Sequence, residues 1–278
     1  MTVINGSAQD VLTGLLVCPA CNSDLAVSKT EYQCQGCGNE YAISGDTPCF
    51  AEPEMAEPEI DESDTPAGVA FRKRYEWQYQ EQEDARQYDQ SFRDGPRKRQ
   101  RTKRELGILR SMLNSQPRCH TILDVPCGGG RLSPPIAART EHLLEADIAP
   151  AQLQLALRHE LEPQRGLIIS ALALPFDSGS LDAAVCARLS HHLPDPAERE
   201  QLLSELLRVS RSFVIFSFTD RKSIQSFGRK LRGKKLNPSA MSTDQIEQIA
   251  LANGAIVDRF MTVSSIGPRH RFALLVKR

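Results

Sequence analysis

Apolar and polar positions divide the chain into stretches of different period. Between Leu15 and Phe50, short alternating pieces ("DLAVS", "EYQC", "EYAIS") predict β-strands joined by tight turns in "VCPACN" and "QCQGCGN". From residue 71 the spacing becomes helical. Phe71, Tyr75 and Tyr79 predict a helix over 71–92, and Leu106, Leu109, Met112 and Leu113 form one apolar face of a second helix that Pro117 ends. Apolar runs then alternate with helical segments. Strands are expected at Thr121–Val125, in "HLLEAD", "GLIIS", "SLDAAVC" and "SFVIFSF", and then close together in "AIVDRFMTV" and "RFALLVKR". Five strands alternating with helices, then a terminal pair, predict an α/β fold. Its core is a doubly wound, seven-stranded, mostly parallel sheet, preceded by a small N-terminal module.

Between module and sheet the period is lost. Residues 52–64, "EPEMAEPEIDESD", hold seven acidic groups, two prolines and no basic group, so they read as a linker. The expected layout is a module over 11–50, a linker over 51–70, and a domain over 71–278 that begins with its own helices. On such a tether the module is expected to fold separately.

Composition adds limits. The 278 residues are 40% hydrophobic and 25% charged with a net charge of -1, as in a globular protein. No apolar run reaches the roughly 20 residues that span a bilayer, and the first residues lack the pattern of a signal peptide. Eight cysteines without an export signal suit a reducing compartment, so a cytoplasmic location is expected. The near-zero charge hides two basic segments. "RKRQRTKR" (97–104) has six basic residues in eight, and Arg221–Lys235 has seven and no acid. Either could meet the phosphates of RNA, and a solvated helix face gives the same pattern.

The cysteines carry the clearest chemistry. Cys18, Cys21, Cys34 and Cys37 form two Cys-x-x-Cys pairs in tight turns, which brings four thiolates to the corners of a tetrahedron suited to structural zinc. A module this short has little core of its own, so the metal would supply most of its folding free energy, about 10–16 kcal/mol in small zinc modules. Cys49 is expected to be a packed thiol at the module's edge. The segment over 11–52 resembles bacterial zinc ribbons and the small zinc-ribbon activator subunit of eukaryotic tRNA, rRNA and protein methyltransferases, through "LLVCPAC" and "YAISGDTPCF". A ribbon of that kind can also recruit a protein partner.

In "TILDVPCGGGRLSPPIAAR" a strand runs into a glycine-rich turn and then a helix. No Walker lysine follows, and the dinucleotide pattern G-x-G-x-x-G is absent. "LDVPCGGGRL", "DIAPAQL" and "ALALPF" follow one another in the order of three family motifs, and residues 118–278 resemble class I S-adenosylmethionine-dependent methyltransferases, most of all the ubiquinone- and menaquinone-biosynthesis type. The resemblance implies S-adenosylmethionine as cofactor. It implies that Asp124 anchors the loop or the cofactor's amino group, that Gly128 and Gly130 let the backbone approach the methionine moiety, and that Asp147 holds the ribose. Ser170, Ala171 and Leu172 would flank the adenine. Pro126 stands where the family has its first loop glycine, and Ser170 where it often has Asp.

Methyl transfer from a sulfonium is an in-line displacement helped chiefly by positioning, and needs a base only if the acceptor must lose a proton. By the resemblance, acceptor contacts follow the fourth strand, where Arg188, His191 and His192 stand. His192 is the candidate base near neutral pH, and buried Cys186 reads as packing. The motifs of amino-methylating DNA enzymes and of cytosine C5 enzymes are absent. Three readings stay open: a small-molecule or lipid-like acceptor, an RNA base, and a non-catalytic cofactor-binding scaffold. The segment Arg221–Lys235, just after the fifth strand, is expected to gate the acceptor site through Arg229, Lys230 and Arg232.

Overall fold

The structure is a computed structural model that describes residues 11–12, 14–51, 82–92, 94–161, 164–221, 239–263 and 270–278. The acidic linker, Phe71, Tyr75, Tyr79, and the gate residues Arg229, Lys230 and Arg232 lie outside the described residues. The N-terminal module is a four-stranded antiparallel sheet in the order β1 (Leu25–Val27), β2 (Glu31–Cys34), β3 (Glu40–Ser44) and β4 (Thr47–Pro48). The two cysteine turns flank β1 and β2.

All seven expected strands of the large sheet are present: β5 (Cys119–Asp124), β6 (Thr140–Asp147), β7 (Gln164–Ile168), β8 (Leu181–Cys186), β9 (Ser210–Thr219), β10 (Ala255–Thr262) and β11 (His270–Lys277). Their order is β10-β11-β9-β8-β5-β6-β7. Strands β5 to β9 are parallel, and β11 lies antiparallel between β9 and β10. The order reverses at β5, which pairs with β6 on one side and β8 on the other. Ligands of doubly wound sheets bind at the carboxyl ends of strands beside such a reversal. The parallel strands are nearly continuous apolar runs because helices cover both faces. Leu123, Leu144, Leu167, Ala184 and Val214 face one buried cluster, and Ile122, Leu143, Val185 and Ile215 the other.

The described residues include six α-helices: α1 (Gln82–Ser91), α2 (Pro96–Asn114), α3 (Ser133–Ala137), α4 (Pro150–Leu157), α5 (Pro196–Val209) and α6 (Thr243–Ala252). On α2 the apolar face of Ile108, Leu109, Met112 and Leu113 is buried, while most of the 97–104 run faces solvent. Among the described residues no helix is long and apolar enough to cross a membrane.

The module packs directly on the sheet rather than standing apart. Phe50 N–H donates to Ile168 O at 2.8 Å, Cys49 bridges in parallel to the same residue, and Val17 N–H donates to Pro175 O at 3.0 Å. Leu12 and Leu16 are buried in the same cluster as Leu174 and Phe176. Cys49, expected at the module's edge, packs against Cys127, Leu153 and Ile168. The module therefore covers the outer edge of β7, whose unpaired backbone groups would otherwise be exposed. Cys34→Ser, which removes one corner of the thiol cluster, is expected to lower the melting temperature of the whole chain. Burying a leucine is worth about 1.5–3 kcal/mol, and 1 kcal/mol shifts a domain of this size by about 2–4 °C. A melting curve in which the far-UV signal of the large sheet is unmoved would contradict this.

Candidate cofactor and acceptor site

The glycine loop after β5 opens the site. Gly128 has φ +54°, a conformation side chains rarely adopt, and an added Cβ would have only Gln152 Oε1 near it, at 3.9 Å. At Gly129 an added Cβ would come within 3.2 Å of Asp89 on α1. Gly128 and Gly129 line the cavity, whereas the space beside Gly130 is filled by Ala156 and His159 of the α4 region. Gly130 thus serves the approach of helix to loop. The Val125–Pro126 peptide bond is cis.

Asp147, at the end of β6, ties this loop in place. Its Oδ2 accepts from Gly128 N–H at 2.9 Å and its Oδ1 from Ala149 N–H at 2.9 Å. Burial pushes its carboxyl up to about 6, against the opposing pull of the amides of Ala149, Gly128 and Ile148. Asp124 is more deeply buried and accepts from Ser133 Oγ at 3.2 Å. Its carboxyl is held well above the usual range by burial, reinforced by the nearby charge of Glu145.

Two adjoining cavities meet at Pro126, Asp147 and Ile148. The first, about 720 Å³, is lined by Asp124, Gly128, Gly129 and Gln152, by Tyr88, Asp89 and Phe92 from the α1 region, and by Arg131 and Arg188. The second, about 590 Å³, is lined by Ile169, Ser170, Ala171, Leu172, Leu189, His192 and Leu193. Asp147 stands at the junction of the two. In the second cavity Ser170 Oγ accepts from Leu172 N–H at 3.3 Å.

Arg188 leaves β8 with φ +66°, a strained conformation for a non-glycine residue. Its N–H donates to Ser217 Oγ at 2.7 Å. Its guanidinium reaches the buried Glu105 of α2 at 3.3 Å, where Arg131 also arrives at 2.9 Å and Arg101 at 3.2 Å. Burial would raise the Glu105 carboxyl, but Arg131 and Arg188 hold it below its ordinary value. Both guanidiniums lie over the Phe92 ring, 4.5 and 4.8 Å from its centroid.

Three histidines stand beside this cluster. His191 and His192 stack at 4.0 Å, and His270 of β11 lies 6.0 Å from His191. Burial, with Arg188 adding to it, lowers His192 to about 4, and His191 falls to about 2. His192 is therefore not a base poised near neutrality, and it lines the cavity beside Ser170 rather than the one beside Arg188. Cys186 is fully buried and its thiol is pushed up by burial, as a packing residue.

Sequence reading missed Gln152, Phe92, Glu105 and Arg131. The amide of Gln152 is buried, lines the first cavity, and has no hydrogen-bond partner among the described residues. Its place in "DIAPAQL", five residues after Asp147, was the available signal.

In the module, the Sγ atoms of Cys18, Cys21, Cys34 and Cys37 all lie within 4.8 Å of one another. Cys18–Cys37 is 3.7 Å and Cys21–Cys34 3.4 Å. A tetrahedron with metal–sulfur bonds of about 2.3 Å has edges of about 3.8 Å, so the residues fit zinc. Gly36 and Cys37 N–H groups both donate to Cys34 Sγ at 3.3 Å, which suits a thiolate.

Residues 123–218 match the family model described as a methyltransferase domain. The chain carries a methyltransferase domain. Proteins named ubiquinone biosynthesis O-methyltransferase are similar to it: that of Alkalilimnicola ehrlichii is 35% identical over 36% of this chain and 42% of its own length. That of Hahella chejuensis is 38% identical over 38% of this chain and 45% of its own. The chain spans less than half the length of the curated relatives it matches. Among solved structures, magnesium protoporphyrin IX methyltransferase from Synechocystis PCC 6803 with bound S-adenosylmethionine is similar with TM-score 0.59. The two are 16% identical over 77% of this chain and 100% of that one, which speaks to the fold.

The raised carboxyl of Asp147 gives a pH prediction. A ribose would donate to the ionised form, so binding is linked to loss of a proton held below about pH 6. Affinity for S-adenosylhomocysteine should be flat above pH 7 and fall toward about tenfold per unit below pH 6. In Asp147→Asn this dependence should vanish. Calorimetry across pH 5–8 reads it, and a flat wild-type profile contradicts it.

Proposed function

We propose that this chain uses S-adenosylmethionine to methylate a small-molecule acceptor, and that zinc on Cys18, Cys21, Cys34 and Cys37 holds its N-terminal module. The cofactor, when bound, supplies a methyl group on a sulfonium. On this reading Gly128 and Gly129 give room for its methionine part, Asp147 accepts from its ribose hydroxyls, and Gln152 completes its polar partners. Ser170, Ala171 and Leu172 flank its adenine. One observation carries the reading: a carboxylate fixed by backbone amides at the junction of a polar and a largely apolar cavity.

The acceptor lobe is the region of Arg188, beyond β8. Its cavity is lined there by Phe92 with Arg131 and Arg188 over the ring, a setting that suits a small planar molecule. The name shared by the similar curated proteins points the same way. The histidines are weak bases in this setting, so an acceptor hydroxyl would be activated chiefly by the positive field of the arginines, which favours its ionised form.

The test supplies methyl-tritiated S-adenosylmethionine with 3,4-dihydroxybenzoate and, separately, with total bacterial RNA. Label in the organic-extractable product supports the proposal, and label confined to RNA overturns it. Asp147→Ala should weaken S-adenosylhomocysteine binding by about 1.5–3 kcal/mol, the range for a hydrogen bond to a charged group. Metal analysis of the purified chain should find about one zinc per chain. Protein free of metal would contradict the zinc assignment.

A further inference from the structure

Resting on the methyltransferase reading, the first cavity has both acidic and basic side chains in its lining. Asp124 and Asp147 stand at the ends of β5 and β6, beside the glycine loop. Arg131, which directly follows the glycine loop, and Arg188 line the same cavity, and Arg188 is tied to β9 through Ser217 and faces Glu105 on α2. Asp89 of α1 also lines the cavity. Around Glu105 are three guanidiniums, those of Arg101, Arg131 and Arg188, for one carboxylate. Among the described residues, three positive charges against one leave an excess of two around Glu105.

That excess is partly buried. The Arg131 and Arg188 side chains are 12% and 18% exposed, and Glu105 is 1% exposed. Burying unmatched charge is costly unless something pairs with it. Two donors remain unused: Arg131 Nη1 and Arg188 Nε are buried and have no hydrogen-bond partner among the described residues. The Phe92 ring holds both guanidiniums in place from one side. Fixed, forked, desolvated arginines of this kind recognise planar oxyanions.

We propose that the acceptor carries a carboxylate, bound by Arg131 and Arg188 in the first cavity. Glu105 is a positioning residue that aims the two guanidiniums and balances part of their charge. The cofactor's own carboxylate offers the same chemistry. Arg188 follows β8, which lies on the opposite side of β5 from β6 and Asp147, and this placement of Arg188 assigns the pair to the acceptor.

The test uses the full-length chain saturated with S-adenosylhomocysteine, titrated calorimetrically with 3,4-dihydroxybenzoate and with its neutral analogue 3,4-dihydroxybenzamide. The carboxylate should bind about tenfold or more tighter than the amide, the least expected for a hydrogen bond to a charged group. Arg188→Gln should bring the two within about twofold, and Arg188→Lys should retain part of the preference. Arg101 and Arg131 still pair Glu105 in both variants, so folding is preserved. S-adenosylhomocysteine affinity should be unchanged in both. Equal affinity of wild type for the two probes, or binding of neither, overturns the proposal. Loss of S-adenosylhomocysteine affinity in Arg188→Gln overturns it too, because the arginines would then hold the cofactor's carboxylate. Failure of wild type to bind S-adenosylhomocysteine would instead sink the underlying methyltransferase reading.

Discussion

The pairing of the Asp147 carboxylate with the amides of Gly128 and Ala149 organises everything around it. It fixes the glycine loop against the end of β6 and starts α4 at the correct distance from that loop. It also divides the cavity into two lobes. A carboxylate can hold this place because backbone N–H groups offset part of the cost of burying it. The remaining cost shows in its raised proton affinity, and leaves it responsive to a ligand that donates two further hydrogen bonds.

The second constraint lies at the opposite face of the same loops. The segment Ile168–Asp177 forms one wall of the second cavity through Ile169 to Leu172, and its remaining length meets the N-terminal module through Pro175, Phe176 and Asp177. Ile168 accepts from Phe50, and Leu16 packs in the cluster that holds Phe176. A module with few apolar residues of its own gains a core by sharing that of the larger sheet. In turn it covers an edge strand. The order of the thiol cluster and the order of this wall are therefore physically linked.

The sheet was legible because each of its strands is an apolar run between turns, and such runs leave few alternatives to buried parallel strands. The thiol cluster was legible because Cys18, Cys21, Cys34 and Cys37 have a spacing few other structures need. Asp147, Ser170 and Leu172, singled out from their motifs, line the second cavity. The docking of the module was not legible, because Val17 meets Pro175, and Phe50 meets Ile168, through backbone groups that every residue carries. Nor was the arginine cluster. Arg101, Glu105, Arg131 and Arg188 come from three separate parts of the chain, and only the approach of α2 to the end of β8 brings them together. The histidines are a different case. The sequence offers His192 as a candidate base, and only the structure shows the burial, with Arg188 adding to it, that lowers it to about 4.

A crystal structure of the chain grown with S-adenosylhomocysteine tests the account's central claim most directly. The account predicts both ribose hydroxyls within hydrogen-bond distance of the Asp147 carboxylate, the adenine against Ser170 to Leu172, and the amino-acid end beside Gly128 and Gln152. A ligand bound with its ribose away from Asp147, or with its carboxylate on Arg188 instead of at the glycine loop, would contradict it.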